Sequence, residues 1–334
     1  MKKIYLLLAI TFSTVSYSQT PITDVNFYSA MSTCLGTNPV DGLCTNSEYG
    51  AMPDWDVSQV TDMSDAFKNK SDFNGDISSW NVSSVTDMSS MFNNVTSFNQ
   101  PLNNWNVSNV NNMFAMFTAA SVFNQDLNSW DVSSVSNMSS MFFFATSFNQ
   151  PLNNWDISSV TNMQVMFNSA TSFNQPLNNW DISSVINMQE MFSYSSLSTD
   201  NYDGVLNSWS QQDVKSGVIL RAIGVNYCNG EDARQSLIDT YGWIITDDGL
   251  DCSTAGVDDQ NQLDISIYPN PTSDMVYIEG NYTQLKVIIY NVLGKEILNK
   301  SITNSIDISH LDNGVYILQL SDGVKLSTRK IIKN

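Results

Sequence analysis

The chain reads as an α/β solenoid in which each 25-residue unit supplies one short parallel strand and one short helix, followed by a small all-β sandwich. Three observations carry that reading. Trp55, Trp80, Trp105, Trp130, Trp155 and Trp180 stand 25 residues apart, and each opens a copy of one pattern. A fixed period of this size denotes a supersecondary unit that can bury its apolar face only against its neighbours. Within a unit, Met88, Met91, Phe92 and Val95 fall at i, i+3, i+4 and i+7, one face of a helix. The last 70 residues switch to short apolar runs bounded by Pro, Asn, Asp and Gly, the signature of strands and turns.

The elements follow in order. Residues 1–18 combine Lys2-Lys3, an apolar run over 4–12 and small residues at Ser16 and Ser18. That is a secretory signal peptide with cleavage near Ser18-Gln19, since the apolar run is shorter than the roughly 20 residues a spanning helix needs. No cysteine stands at a lipoprotein cleavage position, and no later segment reads as transmembrane. Residues 19–50 form an N-terminal cap. Cys34 and Cys44 precede the repeats while Cys228 and Cys252 follow them, so the simplest connectivity is one local disulfide on each side, stapling two caps in an oxidising compartment. A zinc site would need a C-x-x-C pair or nearby histidine, and neither is written.

Residues 51–198 hold the six repeats. Ser84 or Thr86 is placed to cap the helical turn, and the same apolar face returns at Met138, Met141, Phe142 and Ala145. Phe98 and Leu102 suit a short strand, and the three-residue step to Trp105 requires a bulge. Alternating strand and helix in so short a unit predicts a leucine-rich-repeat type of stack with one parallel sheet. Residues 199–252 keep these ingredients but lose the period, with helices over 202–209 and 231–241 and strands over 218–225 and 243–246, and read as a C-terminal cap. Residues 253–264 have the polar composition of a linker. Residues 265–334 carry strand patterns at 265–268, 275–278, 285–290 and 315–320, and hold half of the lysines and arginines of the chain.

Charge excludes several partners. The formal net charge is -19, and residues 51–200 contain 12 aspartates and one glutamate against Lys68 and Lys70. Nucleic acid and anionic lipid need basic patches that are not there. Catalysis has few candidates, and the reading is that of a non-enzyme. The only histidine is His310, and Glu190 is the sole glutamate of the repeats, so neither a Ser-His-Asp arrangement nor a unique carboxylate pair is written there.

Three columns of repeated side chains remain. The tryptophan row is the repeat core, with a stacking platform for sugars as the other reading. Asn74, Asn99, Asn124, Asn149 and Asn174 form a ladder to neighbouring backbone or a ligand contact. Asp56, Asn81, Asn106, Asp131, Asp156 and Asp181 close the Trp-[DN]-[VI]-Ser turn. As oxygen ligands, Asp56, Asp131, Asp156 and Asp181 are also calcium candidates, although no Gly-rich calcium loop accompanies them; no other cofactor is expected.

The run W-[DN]-[VI]-S-x-V-x-x-M-x-x-[MA]-F followed by F-N-x-x-[LI] resembles the repeat of BspA-like leucine-rich-repeat surface proteins, in the branch also found in mycoplasma surface lipoproteins. Ala66 and Gly75 depart from it. A second resemblance rests on Tyr268-Pro269-Asn270-Pro271, Asn291-Val292-Leu293-Gly294-Lys295, Asn313-Gly314-Val315-Tyr316 and the terminal Lys330-Ile331-Ile332-Lys333. Together these are similar to the type A C-terminal sorting domain of the type IX secretion system. The resemblances imply export to the outer-membrane surface or beyond, the secretion machinery and a sortase-like protease as partners, and adhesion to an unknown extracellular protein or polysaccharide. An architectural surface or matrix component is the alternative, and a glycan-active enzyme a third.

Overall fold

The computed structural model describes residues 20–253, 263, 265–280, 282, 284–291, 294–323 and 325–334. The signal segment over 1–18 and most of the linker over 253–264 lie outside the described residues. The chain divides into two compact units, with the boundary between Ser253 and Thr254.

In the first unit, α1 (Phe27–Thr37) and a single 3-10 turn (Met52–Asp54) precede the repeats. After the repeats come α2 (Thr199–Trp209), β1 (Ile219–Ala222), α3 (Glu231–Tyr241) and β2 (Ile244–Asp247). β1 and β2 pair in parallel.

The predicted α/β solenoid of leucine-rich-repeat type does not form. Residues 55–198 contain neither α-helix nor strand, only turns and isolated parallel bridges such as Asp62↔Asp87 and Asp87↔Asn112. With three helices, and with nine strands gathered in small sheets, the described residues make a mostly β and turn fold.

The physical reason is visible at Met88–Val95. Met91, Asn93 and Val95 donate to the carbonyls three residues back at 3.0–3.2 Å, closing overlapping four-residue turns. Met88, Ser90, Phe92 and Asn94 instead donate to Asn112, Phe114, Met116 and Thr118 of the next repeat at 2.7–3.0 Å. Alternate N–H groups thus serve the repeat and its neighbour, so no i to i−4 ladder remains. The geometry requires a left-handed residue every fourth position: φ is 56° at Ser90 and 59° at Asn94, with the same pair at Asp65 and Asn69, Ala115 and Ala119, Ser140 and Phe144, Val165 and Ser169, and Glu190 and Tyr194. Ser, Asn and Asp suit such turns and resist helix. The i, i+3, i+4, i+7 face is buried all the same, because a run of four-residue turns returns its apolar side chains to one side at that spacing. The expected strand near Phe98 fails for a related reason. The Asn99 N–H is taken by the Asn74 side chain at 3.0 Å, and Pro101 has no N–H to give.

Val165 is the one β-branched residue of this series, at φ 49°. A left-handed L-residue costs roughly 1–2 kcal/mol, so Val165→Asn is expected to raise stability by about 1 kcal/mol. Denaturant titration checks this; a clear loss of stability would contradict the left-handed assignment.

Rings run through the core in columns. Phe67, Phe92, Phe117, Phe142, Phe167 and Phe192 stack at 5.4–6.1 Å, and Phe73, Phe98, Phe123, Phe148 and Phe173 at 5.9–6.2 Å. All are buried, as are the methionines beside them.

The two ends of the stack supply what a missing neighbour would have supplied. Inside the array the N–H of Thr86 donates to the Thr61 carbonyl of the preceding repeat at 2.8 Å, and this bond recurs down the column. Thr61 has no such predecessor, and its N–H and Oγ donate to the Asp24 carboxylate, both at 2.7 Å. Gly75 stands where later repeats have glutamine because the backbone of Asp41 crosses there; a Cβ would lie 2.5 Å from the Asp41 carbonyl oxygen. At the far end the Gln212 side chain accepts from the Ile182 N–H at 2.9 Å and donates to the Trp180 carbonyl at 2.8 Å. Asp203 accepts from the N–H groups of Cys228, Asn229 and Gly230 at 2.7–2.9 Å, holding the turn that leads into α3. Cys34–Cys44 and Cys228–Cys252 are disulfides, the local pairing that the spacing predicts.

The second unit holds two antiparallel sheets. β3 (Ile265–Tyr268), β4 (Met275–Gly280) and β7 (Ser305–Asp307) make the first, in the order β3-β4-β7. β5 (Leu285–Asn291), β6 (Glu296–Ile302), β8 (Gly314–Ser321) and β9 (Leu326–Lys333) make the second, in the order β6-β5-β8-β9. Val276 and Ile278 from one and Val287, Ile289 and Leu318 from the other share one core.

Candidate ligand-binding face

The tryptophan row is interior. Trp55, Trp80, Trp105, Trp130, Trp155 and Trp180 are all buried, and from Trp80 to Trp180 each indole N–H donates to a carbonyl 28 residues upstream at 2.9–3.1 Å. The amphipathic ring therefore joins repeats with both its area and its polar atom, and presents no platform to solvent.

The asparagine column bonds to backbone. Oδ1 of Asn74, Asn99, Asn124 and Asn149 accepts from the N–H of Asn99, Asn124, Asn149 and Asn174 at 2.9–3.0 Å. Asp56, Asp131, Asp156 and Asp181 each accept from the serine N–H two residues on, at 3.0–3.1 Å. At Asp156 the Ser158 hydroxyl adds a bond of 2.6 Å, and hydrogen bonds from that hydroxyl and the Ser158 N–H hold the carboxyl below its usual range. Glu190 is tied too. Its carboxylate accepts from the Ser193 hydroxyl at 2.7 Å and from Arg221 at 2.7 Å; the Ser193 bond, followed by the Arg221 bond, keeps it below the ordinary carboxylate range.

The ribbon of turns carries what the periodic reading missed. Its solvent side is largely amide and hydroxyl: Asn69, Ser89, Asn94, Gln164 and Ser169 stand at or near it. Into this surface are set Phe114, 42% exposed, Phe144, 48%, and Tyr194, 59%. Phe143 lies edge-on against Phe144 at 4.6 Å. Phe144 and Tyr194 occupy one column, equivalent to Asn69, Asn94, Ala119 and Ser169, and both rings sit on left-handed residues. The sequence signal was there: at exposed positions of the repeat, these copies break from Asn and Ser.

In the second unit the sorting-motif residues converge. Asn270, between Pro269 and Pro271, donates to the Lys330 carbonyl and accepts from the Ile332 N–H, each at 2.9 Å, tying the first motif to the last. Tyr268 and Tyr277 stack at 6.0 Å on the surface. Gly294 holds φ 78° at the β5–β6 turn, where its N–H donates to the Asn291 carbonyl at 3.0 Å. Gly314 opens β8, and the buried Tyr316 donates its hydroxyl to the Asp312 carbonyl at 2.9 Å. Among the described residues no helix is long and apolar enough to cross a membrane.

Comparison with known proteins agrees with this division. Residues 266–334 match the secretion system C-terminal sorting domain. That domain, of the type IX system, directs the protein to the cell surface or the extracellular space. No curated protein matches the chain. Residues 42–146 and 123–218 match one family, so that the match runs over 42–218, more than half of the 334 residues. The chain belongs to the family described as "Mycoplasma protein of unknown function, DUF285".

Proposed function

We propose that this protein is a surface recognition protein that binds an extracellular protein or polysaccharide through the solvent side of its turn ribbon. The observation that supports the reading is the set of exposed rings, Phe114, Phe144 and Tyr194, on a surface made largely of amides and hydroxyls. Exposed aromatics are the residues most often found at the centre of binding surfaces. The resemblance to BspA-like surface proteins points to adhesion as the role. Within the same reading, a sortase-like protease removes the C-terminal module after export. In this reading the ribbon works by binding and not by catalysis, in keeping with a repeat sequence that has neither a Ser-His-Asp arrangement nor a unique carboxylate pair.

A glycan and matrix-protein array probed with the purified chain tests this. Retention of one ligand class is expected, with retention lost in a Phe114→Ser, Phe144→Asn, Tyr194→Asn variant. An array on which the chain and that variant behave alike would leave an architectural surface component as the better account. Because the turn-closing aspartates already spend Oδ1 on serine N–H groups, a chelator is expected to leave both binding and the melting temperature unchanged. A fall of several degrees on calcium removal would reverse that expectation.

A further inference from the structure

We propose that the ligand is a neutral β-1,4-linked polysaccharide, laid along the stack so that Phe144 and Tyr194 each carry one sugar ring. This rests on the recognition reading above and names its substrate class.

The first support is conformational. Phe144 and Tyr194 adopt φ values of 56° and 60°, a region that Asn tolerates and an aromatic residue does not favour. The same column uses Asn69 and Asn94 in the first two repeats. An aromatic ring there accepts backbone strain, and its exposure of 48% or 59% returns little core packing. Strain retained without a packing gain points to a ligand.

The second support is spacing. Phe144 and Tyr194 stand two repeats apart with Ser169 between them, and the core rings of those same repeats step by 5.6 and 6.1 Å. Two such steps place the repeats that carry the two exposed rings roughly a disaccharide's length apart. A β-1,4-linked chain turns over at each residue, so every second sugar offers the same C–H face to a protein surface. Ring, small polar residue, ring is the complement of that alternation.

The third support is polarity and charge. The exposed rings form small apolar islands, Phe144 with Phe143 edge-on against it and Tyr194 two repeats on, whereas a protein partner would call for a larger contiguous apolar centre from which water is excluded. Lys68 and Lys70 are the only basic residues of the repeats and both lie in the first one, so a sulfated or uronic-acid polymer would meet an acidic surface without counter-charges.

The test is calorimetric binding of cellohexaose, maltohexaose and a hyaluronan hexasaccharide to the whole chain and to Phe144→Asn and Tyr194→Asn. Cellohexaose alone should bind, and each substitution should weaken it by roughly tenfold or more, the loss typical of an aromatic anchor. Both variants should melt at or above the parent temperature, because Asn relieves the left-handed residue, so lost binding cannot be ascribed to misfolding. Undiminished cellohexaose binding in both variants would overturn the proposal. So would equal binding of maltohexaose or hyaluronan. If no hexasaccharide binds while an arrayed matrix protein is held in a Phe144- and Tyr194-dependent way, the glycan assignment falls and the recognition reading stands. If neither binds, both fall.

Discussion

Replacing Trp130 by alanine is expected to destabilise the repeat array by about 3–5 kcal/mol, the range for deleting a large aromatic from a packed site. Trp130 is only 2% exposed and packs at 6.4 Å from Phe117 of the preceding repeat. Its N–H donates to the Leu102 carbonyl at 2.9 Å, so the substitution removes a bond between repeats as well as area. Each repeat is held only by its neighbours, and a break in the middle divides the array into two shorter stacks. Denaturant titration should show the loss, and hydrogen exchange should show opening on both sides of residue 130. A midpoint close to that of the parent would mean that the neighbouring rings close the gap, and would contradict the packing described here.

Deleting residues 255–334 is expected to abolish surface display while leaving the repeats folded. The deleted part has its own core, formed by residues such as Val287, Ile289 and Leu318, whereas the repeats and the residues flanking them share a separate core that ends at Trp243. The truncated chain should accumulate in the periplasm with an unchanged melting curve. Truncated protein at the cell surface in normal amounts would remove the sorting role from the module. Mass spectrometry of surface-shaved cells adds a second readout on the intact gene. Abundant peptides from residues 315–334 would show the module retained after export, against the proposed proteolytic removal.

Much of the candidate face was legible in the chain only as a departure from regularity. The period made the buried columns readable, because an apolar residue repeated in every copy has a neighbour of its own kind above and below. The exposed rings at Phe114, Phe144 and Tyr194 occur in only one or two of the six copies of their columns, so no pattern repeated in every unit announces them. The residues that close the ends were hidden for a similar reason. Asp24, Gln212 and Asp203 work by accepting from, or donating to, backbone groups 37, 30 and about 26 residues away, and nothing local marks them.

The sequence by itself determined the repeat length, the identity of the buried side chains, the cysteine pairing and the motifs of the exported module. These depend on residue type and spacing. The secondary structure of the repeat was decided only in the tertiary structure. An apolar face at i, i+3, i+4 and i+7 is shared by a helix and by a chain of four-residue turns, and the choice rests on where each N–H finds its acceptor. In isolation a segment such as Met88–Val95 could bond only to itself. With a second copy stacked beside it, Ser90 and Phe92 reach the carbonyls of Phe114 and Met116 at 2.7 and 2.8 Å. Those bonds, repeated along the array, offset the left-handed residues that the turns require and leave the helix without its donors.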